Sequence, residues 1–197
     1  MEFFIVLILV VWGIYAICAG AEKDHKKTLE QSAEVFQKIY VDNQFNVSKE
    51  IEIENTTYRM KKFVVDDKSK KFGVISYDAL EKTSGFACYE YDKLIDFNLY
   101  EDGKQQISGN GLATASGALM FGSTGAIIGA ASSDREIKTK CMELSVKIQV
   151  NDLQNPLITI VLLKDCEKSG RLSSEYQKGR KIADELVAIL SYIAVNK

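Results

Sequence analysis

The chain is poor in the residues that most often carry chemistry or mark linkers. Its 197 residues include one histidine, one proline and four cysteines. The histidine, His25, lies in a charged stretch that is predicted to be solvated, which excludes Ser–His–Asp and Cys–His mechanisms and most histidine-bearing metal sites. A single proline, Pro156, excludes a proline-rich linker.

Charge and cysteine spacing exclude further classes. The net charge is −2, so no basic excess attracts nucleic acid. Cys88, Cys141 and Cys166 are far apart and form no CxxC pair, so zinc binding has no suitable spacing. Cys18 lies in an apolar run, and the other thiols are typical of structural cysteines in a reducing compartment. We expect no cofactor, no metal site, no catalytic residue and no enzymatic activity.

The longest feature of the sequence is an uncharged apolar run from Phe3 to Gly20. As a helix it would reach ~27 Å, close to a bilayer core of ~30 Å. A cleaved signal peptide is the main alternative, but no Lys or Arg precedes the run, and it exceeds the usual length of ~7–15 residues. A lipoprotein at Cys18 would need a small residue where Ile17 stands, and a buried core helix is the remaining alternative. We predict a transmembrane anchor over residues 3–20.

The flanking charges predict the orientation of this anchor. Lys23, Lys26 and Lys27 follow the apolar run, and no basic side chain precedes it. Because basic residues favour the inner side, the rest of the chain is predicted to be cytoplasmic. The sequence therefore predicts a single-pass membrane protein whose first partner is the lipid bilayer.

Beyond the anchor, the hydrophobic period predicts an α+β domain. Residues 22–41 repeat apolar side chains every three or four positions, which predicts a juxtamembrane amphipathic helix. From Ile51 the period becomes two. The predicted strands are Tyr58–Val65, Phe72–Tyr77, Phe86–Tyr91, Leu94–Tyr100, Met142–Val150 and Leu157–Leu163, the last buried on both sides. A helical pattern then returns, so residues 51–195 are predicted to form an antiparallel curved sheet or partial barrel with a C-terminal amphipathic helix.

Residues 109–133 form a glycine-rich insert within this domain. Small residues recur every fourth position, a spacing that lets two helix backbones approach closely. Three interpretations stay open: a helical hairpin on the domain or dipping into the membrane, a flexible loop, and a second membrane span. The candidate residues for helix packing or membrane insertion are Gly117, Gly122, Gly125 and Gly129.

A second candidate surface is basic. Five lysines lie around the predicted first hairpin: Lys61, Lys62, Lys68, Lys70 and Lys71. Such charges usually form a solvated face, but near a cytoplasmic leaflet each could add ~1 kcal/mol of attraction to anionic lipid.

Several segments around the glycine-rich insert resemble a known group of proteins. They are Phe72–Tyr77, Tyr91–Gly103, Cys141–Ile148 and Asn155–Ile160. They are similar to bacterial and prophage proteins with a pleckstrin-homology-like (PH-like) β domain that a glycine-rich insert interrupts. Many of those proteins end in a short helical oligomerisation module of the SHOCT type, which is not seen here. The resemblance covers Tyr58 to Leu190 and implies a PH-like fold and a bacterial or prophage origin, but no activity and no ligand-binding residue.

Three functions follow as hypotheses. The first is a membrane-tethered, non-enzymatic module that binds a protein, its own copies or a membrane surface. The second is a membrane-active protein, as in phages or toxins, whose glycine-rich segment inserts and oligomerises. The third is an enzyme of a class that the sequence does not reveal.

Overall fold

The computed structural model describes residues 2–108, 141–164 and 173–197, with the backbone alone for residues 2–11, 13–18 and 108. The first helix and sheet comprise α1 (Glu2–Asp42), β1 (Lys49–Asn55), β2 (Arg59–Asp66), β3 (Lys71–Asp78) and β4 (Thr83–Glu90). A 3₁₀ turn (Tyr91–Lys93), β5 (Leu94–Glu101), β6 (Lys104–Ser108), β7 (Glu143–Val150), β8 (Leu157–Lys164) and α2 (Ser174–Val195) follow. Helices and antiparallel sheets confirm the predicted α+β class.

Helix α1 is one continuous helix that contains both the predicted anchor, 3–20, and the predicted amphipathic segment, 22–41. It ends where the chain reverses at Asn43 and Gln44, and Gln44 takes a positive φ of 51°. The backbone N–H of Phe45 then donates to the carbonyl of Tyr40, which closes the helix end. Within the residues described with side chains, no helix combines the length and apolarity that crossing a membrane requires. The anchor stays a prediction.

The first sheet, sheet 1, has the strand order β1-β2-β3-β4. Strands β2 and β3 pair antiparallel, with Val65 opposite Phe72 and Met60 opposite Tyr77, which confirms the predicted hairpin. Because side chains alternate along a strand, one face carries a core cluster with α1 and the other carries the ring pair Phe63 and Phe72.

The second sheet, sheet 2, has the order β6-β5-β7-β8, and α2 packs against β5, β7 and β8. The Ser173 side chain accepts from the Tyr176 N–H and caps α2. The buried stripe of α2 comprises Tyr176, Gly179, Ala183, Leu186, Val187, Leu190 and Ile193. The prediction that Leu157–Leu163 is buried on both sides was wrong, because Leu157 and Val161 are exposed and β8 lies at the edge of sheet 2 among the described strands.

The described chain divides into two compact units, Met1–Cys88 and Tyr89–Lys197. The first contains α1 and sheet 1 up to most of β4, and the second contains sheet 2 and α2. The boundary therefore falls inside the region 51–195 that the sequence predicted as one domain. The glycine-rich insert, 109–133, lies outside the described residues.

Candidate functional site

The first unit positions the candidate surfaces because α1 is fixed along sheet 1. Phe36 is buried and packs with four side chains on the facing side of the sheet: Met60, Val64, Ile75 and Tyr77. Val35, Ile39 and Tyr40 flank this core. The last two turns of α1 are therefore joined to the sheet by apolar packing and not by a flexible segment.

One end of sheet 1 lies beside the middle of α1. The Nδ1 atom of His25 is 3.1 Å from the carbonyl oxygen of Thr56, in the turn between β1 and β2. A carbonyl only accepts, so His25 donates through Nδ1. The sequence predicted a solvated histidine, whereas the ring is half-buried and bonded to a residue 31 positions away.

The opposite end of sheet 1 lies beside the end of α1. The N–H of Asn46 donates to the Asp66 carboxylate at 2.8 Å, and the N–H of Ser48 donates to the Val65 carbonyl at 2.8 Å. The 17 residue steps from His25 to Asp42 span ~26 Å of helix. The eight steps from Ser48 to Thr56 span ~26 Å of strand, so helix and strand run side by side over matched lengths.

These contacts define two ends of sheet 1. The Tyr58 end comprises residues 56–59 and 78–82, and the lysine-hairpin end comprises residues 66–71. They lie about 26 Å apart along α1. The five lysines of the predicted basic surface do not form one cluster, because Lys68, Lys70 and Lys71 belong to the lysine-hairpin end and Lys61 and Lys62 lie within β2.

Lys62 and Lys70 also have acidic or aromatic partners. Lys62 is 2.9 Å from Glu50 and lies 6.0 Å from the centre of the Phe36 ring. Lys70 is 2.9 Å from Asp67. Lys61 and Lys62 are adjacent in β2 and project from opposite faces of the sheet. The basic surface is therefore divided by geometry and partly neutralised by its neighbours.

The Tyr58 end presents two exposed apolar side chains, which the sequence analysis missed. Tyr58 is 41% exposed and Leu80 is 68% exposed. The Ala79 N–H donates to the Tyr58 carbonyl at 2.8 Å, which holds the two turns side by side. No motif marks these residues, although an aspartate two positions before Leu80 is a recognisable turn signal.

Asp78 shapes this end. Its Oδ1 accepts from the N–H groups of Leu80 at 2.9 Å and Glu81 at 3.1 Å, and its Oδ2 accepts from Arg59 Nε at 3.0 Å. The hydrogen bond from the Glu81 backbone is the largest influence on this carboxyl, and with the Arg59 bond it holds the pKa of Asp78 below its usual value. The charged form of Asp78 therefore keeps Leu80 at the tip of its turn.

The four predicted site residues of the glycine-rich insert lie outside the described part of the chain. Gly117, Gly122, Gly125 and Gly129 are not among the described residues. Across the described parts of the chain, no group of three or more His, Cys, Asp or Glu side chains is arranged to hold a metal ion.

Comparison with known proteins identifies a family but no individual relative. No curated protein matches the chain. No solved structure matches it either. The family described as "Glycine zipper containing PH domain" matches residues 49–164, which is more than half of the chain and runs from the start of β1 to the end of β8. The matched range includes the glycine-rich insert and both sheets, and the chain belongs to the family of glycine zipper-containing PH domains.

Proposed function

We propose that this protein is a membrane-tethered, non-enzymatic interaction module of bacterial or prophage origin. Residues 3–20 hold it in the bilayer, and the two sheets lie on the cytoplasmic side. Its PH-like part binds a protein, another copy of itself or a membrane surface.

The observation that carries this proposal is the continuity of α1. One helix runs from Glu2 to Asp42 and includes both the uncharged run 3–20 and the turns that pack on sheet 1 through Phe36. A bilayer-sized apolar segment is thus joined to the domain without a flexible linker. Lys23, Lys26 and Lys27 follow the run, which supports the cytoplasmic side for the sheets.

Membrane extraction of the full chain tests the anchor. We expect the wild-type chain to stay in the membrane pellet after carbonate treatment. The double variant Leu7→Arg/Leu9→Arg should move to the supernatant, because each buried arginine costs about 3 kcal/mol in a membrane helix. A matched control, Leu153→Arg/Leu157→Arg, adds the same two charges at exposed positions and should fractionate like wild type. Release of the wild-type chain by carbonate would overturn the proposal.

Protease digestion of membrane vesicles tests on which side of the membrane the two sheets lie. A C-terminal epitope should be digested by protease in inverted membrane vesicles and protected in right-side-out vesicles. The reverse pattern would place the sheets outside and contradict the proposed orientation. Turnover of a small substrate by the purified chain would contradict the non-enzymatic part of the proposal.

The family description favours a second candidate function. A glycine zipper is a run of small residues at four-residue spacing, the pattern that the insert shows at Ala118, Gly122, Ala126 and Ala130. The insert would enter the membrane and associate with other copies. Protection of residues 112–131 from protease in sealed vesicles supports this function, and cleavage there opposes it.

A further inference from the structure

The Tyr58 end of sheet 1 lies close to the predicted edge of the bilayer. His25 bonds the Thr56 carbonyl, and His25 is five residues beyond Gly20. Five residues of helix rise only ~7.5 Å. The headgroup layer on each side of the hydrocarbon core is about 5–8 Å thick. The turn that carries Tyr58 is therefore level with the outer headgroups when α1 stands upright in the membrane.

The chemistry of this end suits that position. Tyr58 offers an apolar ring with a polar tip, the kind of side chain that concentrates at membrane interfaces. Leu80 is more than two-thirds exposed and is held at a turn tip by Asp78. Both side chains are exposed and apolar, and both lie at the level of the lipid headgroups.

Charge distinguishes this contact from an anionic-lipid site. The basic side chains of residues 22–27, 56–59 and 78–82 are Lys23, Lys26, Lys27, Arg59 and Lys82. The acidic side chains of the same segments are Glu22, Asp24, Asp78 and Glu81. The two sets nearly cancel, so attraction to anionic lipid is weak, and burial of the apolar pair supplies the contact.

We propose that the Tyr58 end rests in the headgroup layer of the bilayer that holds α1, with Tyr58 and Leu80 as its lipid contacts. This inference rests on the anchor of the proposed function. The lysine-hairpin end then faces away from that bilayer, because the 22 residue steps from Gly20 to Asp42 rise ~33 Å. Lys68, Lys70 and Lys71 are left to face the cytoplasm or a partner there.

Quenching of single tryptophans by brominated phosphatidylcholine tests the inference. Trp12 is the only tryptophan, so Trp12→Phe gives a background in which one introduced tryptophan reports alone. In the full chain reconstituted in vesicles, Leu80→Trp should lose much of its fluorescence to the brominated lipid. Val41→Trp is the matched control, since Val41 is 65% exposed at the other end of α1, and its fluorescence should not change. Equal quenching at positions 80 and 41, or none at 80, would overturn the inference.

Quenching of Trp12 in the wild-type protein shows whether a negative result is due to the lipid contact or to the anchor. Trp12 lies in the predicted anchor, so strong quenching of wild-type Trp12 together with an unquenched Leu80→Trp refutes the lipid contact alone. Loss of Trp12 quenching refutes the anchor itself. Quenching of Leu80→Trp should be the same in pure phosphatidylcholine and with added anionic lipid. If quenching of Leu80→Trp required anionic lipid, the contact would be electrostatic. The proposed apolar contact would then be wrong.

Discussion

Asp66 joins three parts of the first unit through a single carboxylate. It is fully buried, and its oxygens accept from the Asn46 N–H at 2.8 Å and the Ser69 N–H at 3.0 Å. Burial raises its pKa, but the bonds from Asn46, Ser69 and Lys68 together outweigh burial and lower the pKa from its usual 3.8. The side chain therefore ties the segment after α1 to the lysine hairpin in its charged form.

Removing this carboxylate should destabilise the first unit. We expect Asp66→Ala to lower the free energy of unfolding by about 1–3 kcal/mol, because the N–H groups of Asn46 and Ser69 lose their charged acceptor. The neighbouring Asp67→Ala, which removes a partly exposed ion pair with Lys70, should cost less than about 1 kcal/mol. Urea denaturation of the full chain in detergent measures both. Equal effects of the two variants would contradict the role assigned to Asp66.

The pH dependence of the Asp66 effect follows from the lowered pKa. The folded carboxyl stays charged to lower pH than the unfolded one, so its stabilisation is complete above the unfolded pKa of 3.8. It is lost as the pH falls through the lower folded pKa. The difference in unfolding free energy between wild type and Asp66→Ala should therefore be full at pH 7 and shrink below pH 4. A constant difference down to pH 2 would show that the carboxylate charge is not the cause.

Tyr40 has a buried polar group that costs free energy of folding. Its ring stacks on Phe45 with centroids 5.9 Å apart, but its buried hydroxyl has no hydrogen-bond partner within the described structure. Burial, with the nearby Glu50 charge, raises its pKa to about 12. Tyr40→Phe keeps the ring, so we expect stability at pH 7 to be unchanged or higher by about 1 kcal/mol.

The raised pKa of Tyr40 also predicts how stability changes at alkaline pH. An unfolded tyrosine loses its proton near pH 10, whereas folded Tyr40 keeps its proton to about pH 12. Wild type should therefore lose stability between these values relative to Tyr40→Phe, because the unfolded state binds fewer protons there. Urea denaturation at pH 9 and pH 11 measures the difference. A less stable Tyr40→Phe at pH 7 would reveal a partner for the hydroxyl.

At the scale of elements, the close approach of β3 and β4 depends on Gly73. A Cβ added there would lie 2.5 Å from the Ala87 carbonyl oxygen, which belongs to the backbone and cannot turn away. A Cβ on Gly85 would meet only the Ser76 hydroxyl at 3.2 Å, which can rotate. Gly73 and Gly85, in neighbouring strands, therefore differ sharply in whether their positions can accommodate a Cβ atom.

Alanine substitution should separate these two glycines. Both changes stiffen the unfolded chain similarly. We expect Gly73→Ala to lower the free energy of unfolding by about 1–3 kcal/mol through backbone overpacking, and Gly85→Ala to have a smaller effect or a stabilising one. Thermal unfolding followed by circular dichroism compares them. Equal stability of the two variants would contradict the close approach of β4 to Gly73.

Local periodicity was sufficient to predict most elements, and long-range contacts explain the failures. The alternation in Met142–Val150 predicted the strand observed as β7, and apolar spacing predicted the C-terminal amphipathic helix observed as α2. The exposure of β8 could not be predicted, since it depends on β8 being at the sheet edge. The contact of His25 with Thr56 and the pairing of the Tyr58 and Ala79 turns join residues far apart in sequence, so the Tyr58 end had no local signal.

At the scale of the whole molecule, the proposed function makes α1 a spacer of defined length between the bilayer and sheet 1. Phe36 fixes its C-terminal part to sheet 1, and His25 fixes its middle to the β1–β2 turn. In the proposed membrane-tethered arrangement, the height of sheet 1 above the bilayer is therefore set by the few residues between Gly20 and His25. A flexible linker of the same length would set only an upper limit to that height.

Lengthening this spacer should lift the domain without releasing it. Seven helix-forming residues inserted between Gly20 and Ala21 add ~10 Å and almost two full turns, so the domain keeps nearly the same orientation. The anchor is unchanged, so carbonate resistance should persist.

The Leu80→Trp reporter in the Trp12→Phe background should lose its quenching by brominated lipid, since Leu80 moves beyond the headgroup layer. The same seven residues added after Lys197 should leave the quenching as it was. Persistent quenching in the lengthened protein would mean that α1 bends or tilts to return the Tyr58 end to the bilayer, and the rigid-spacer account would be wrong.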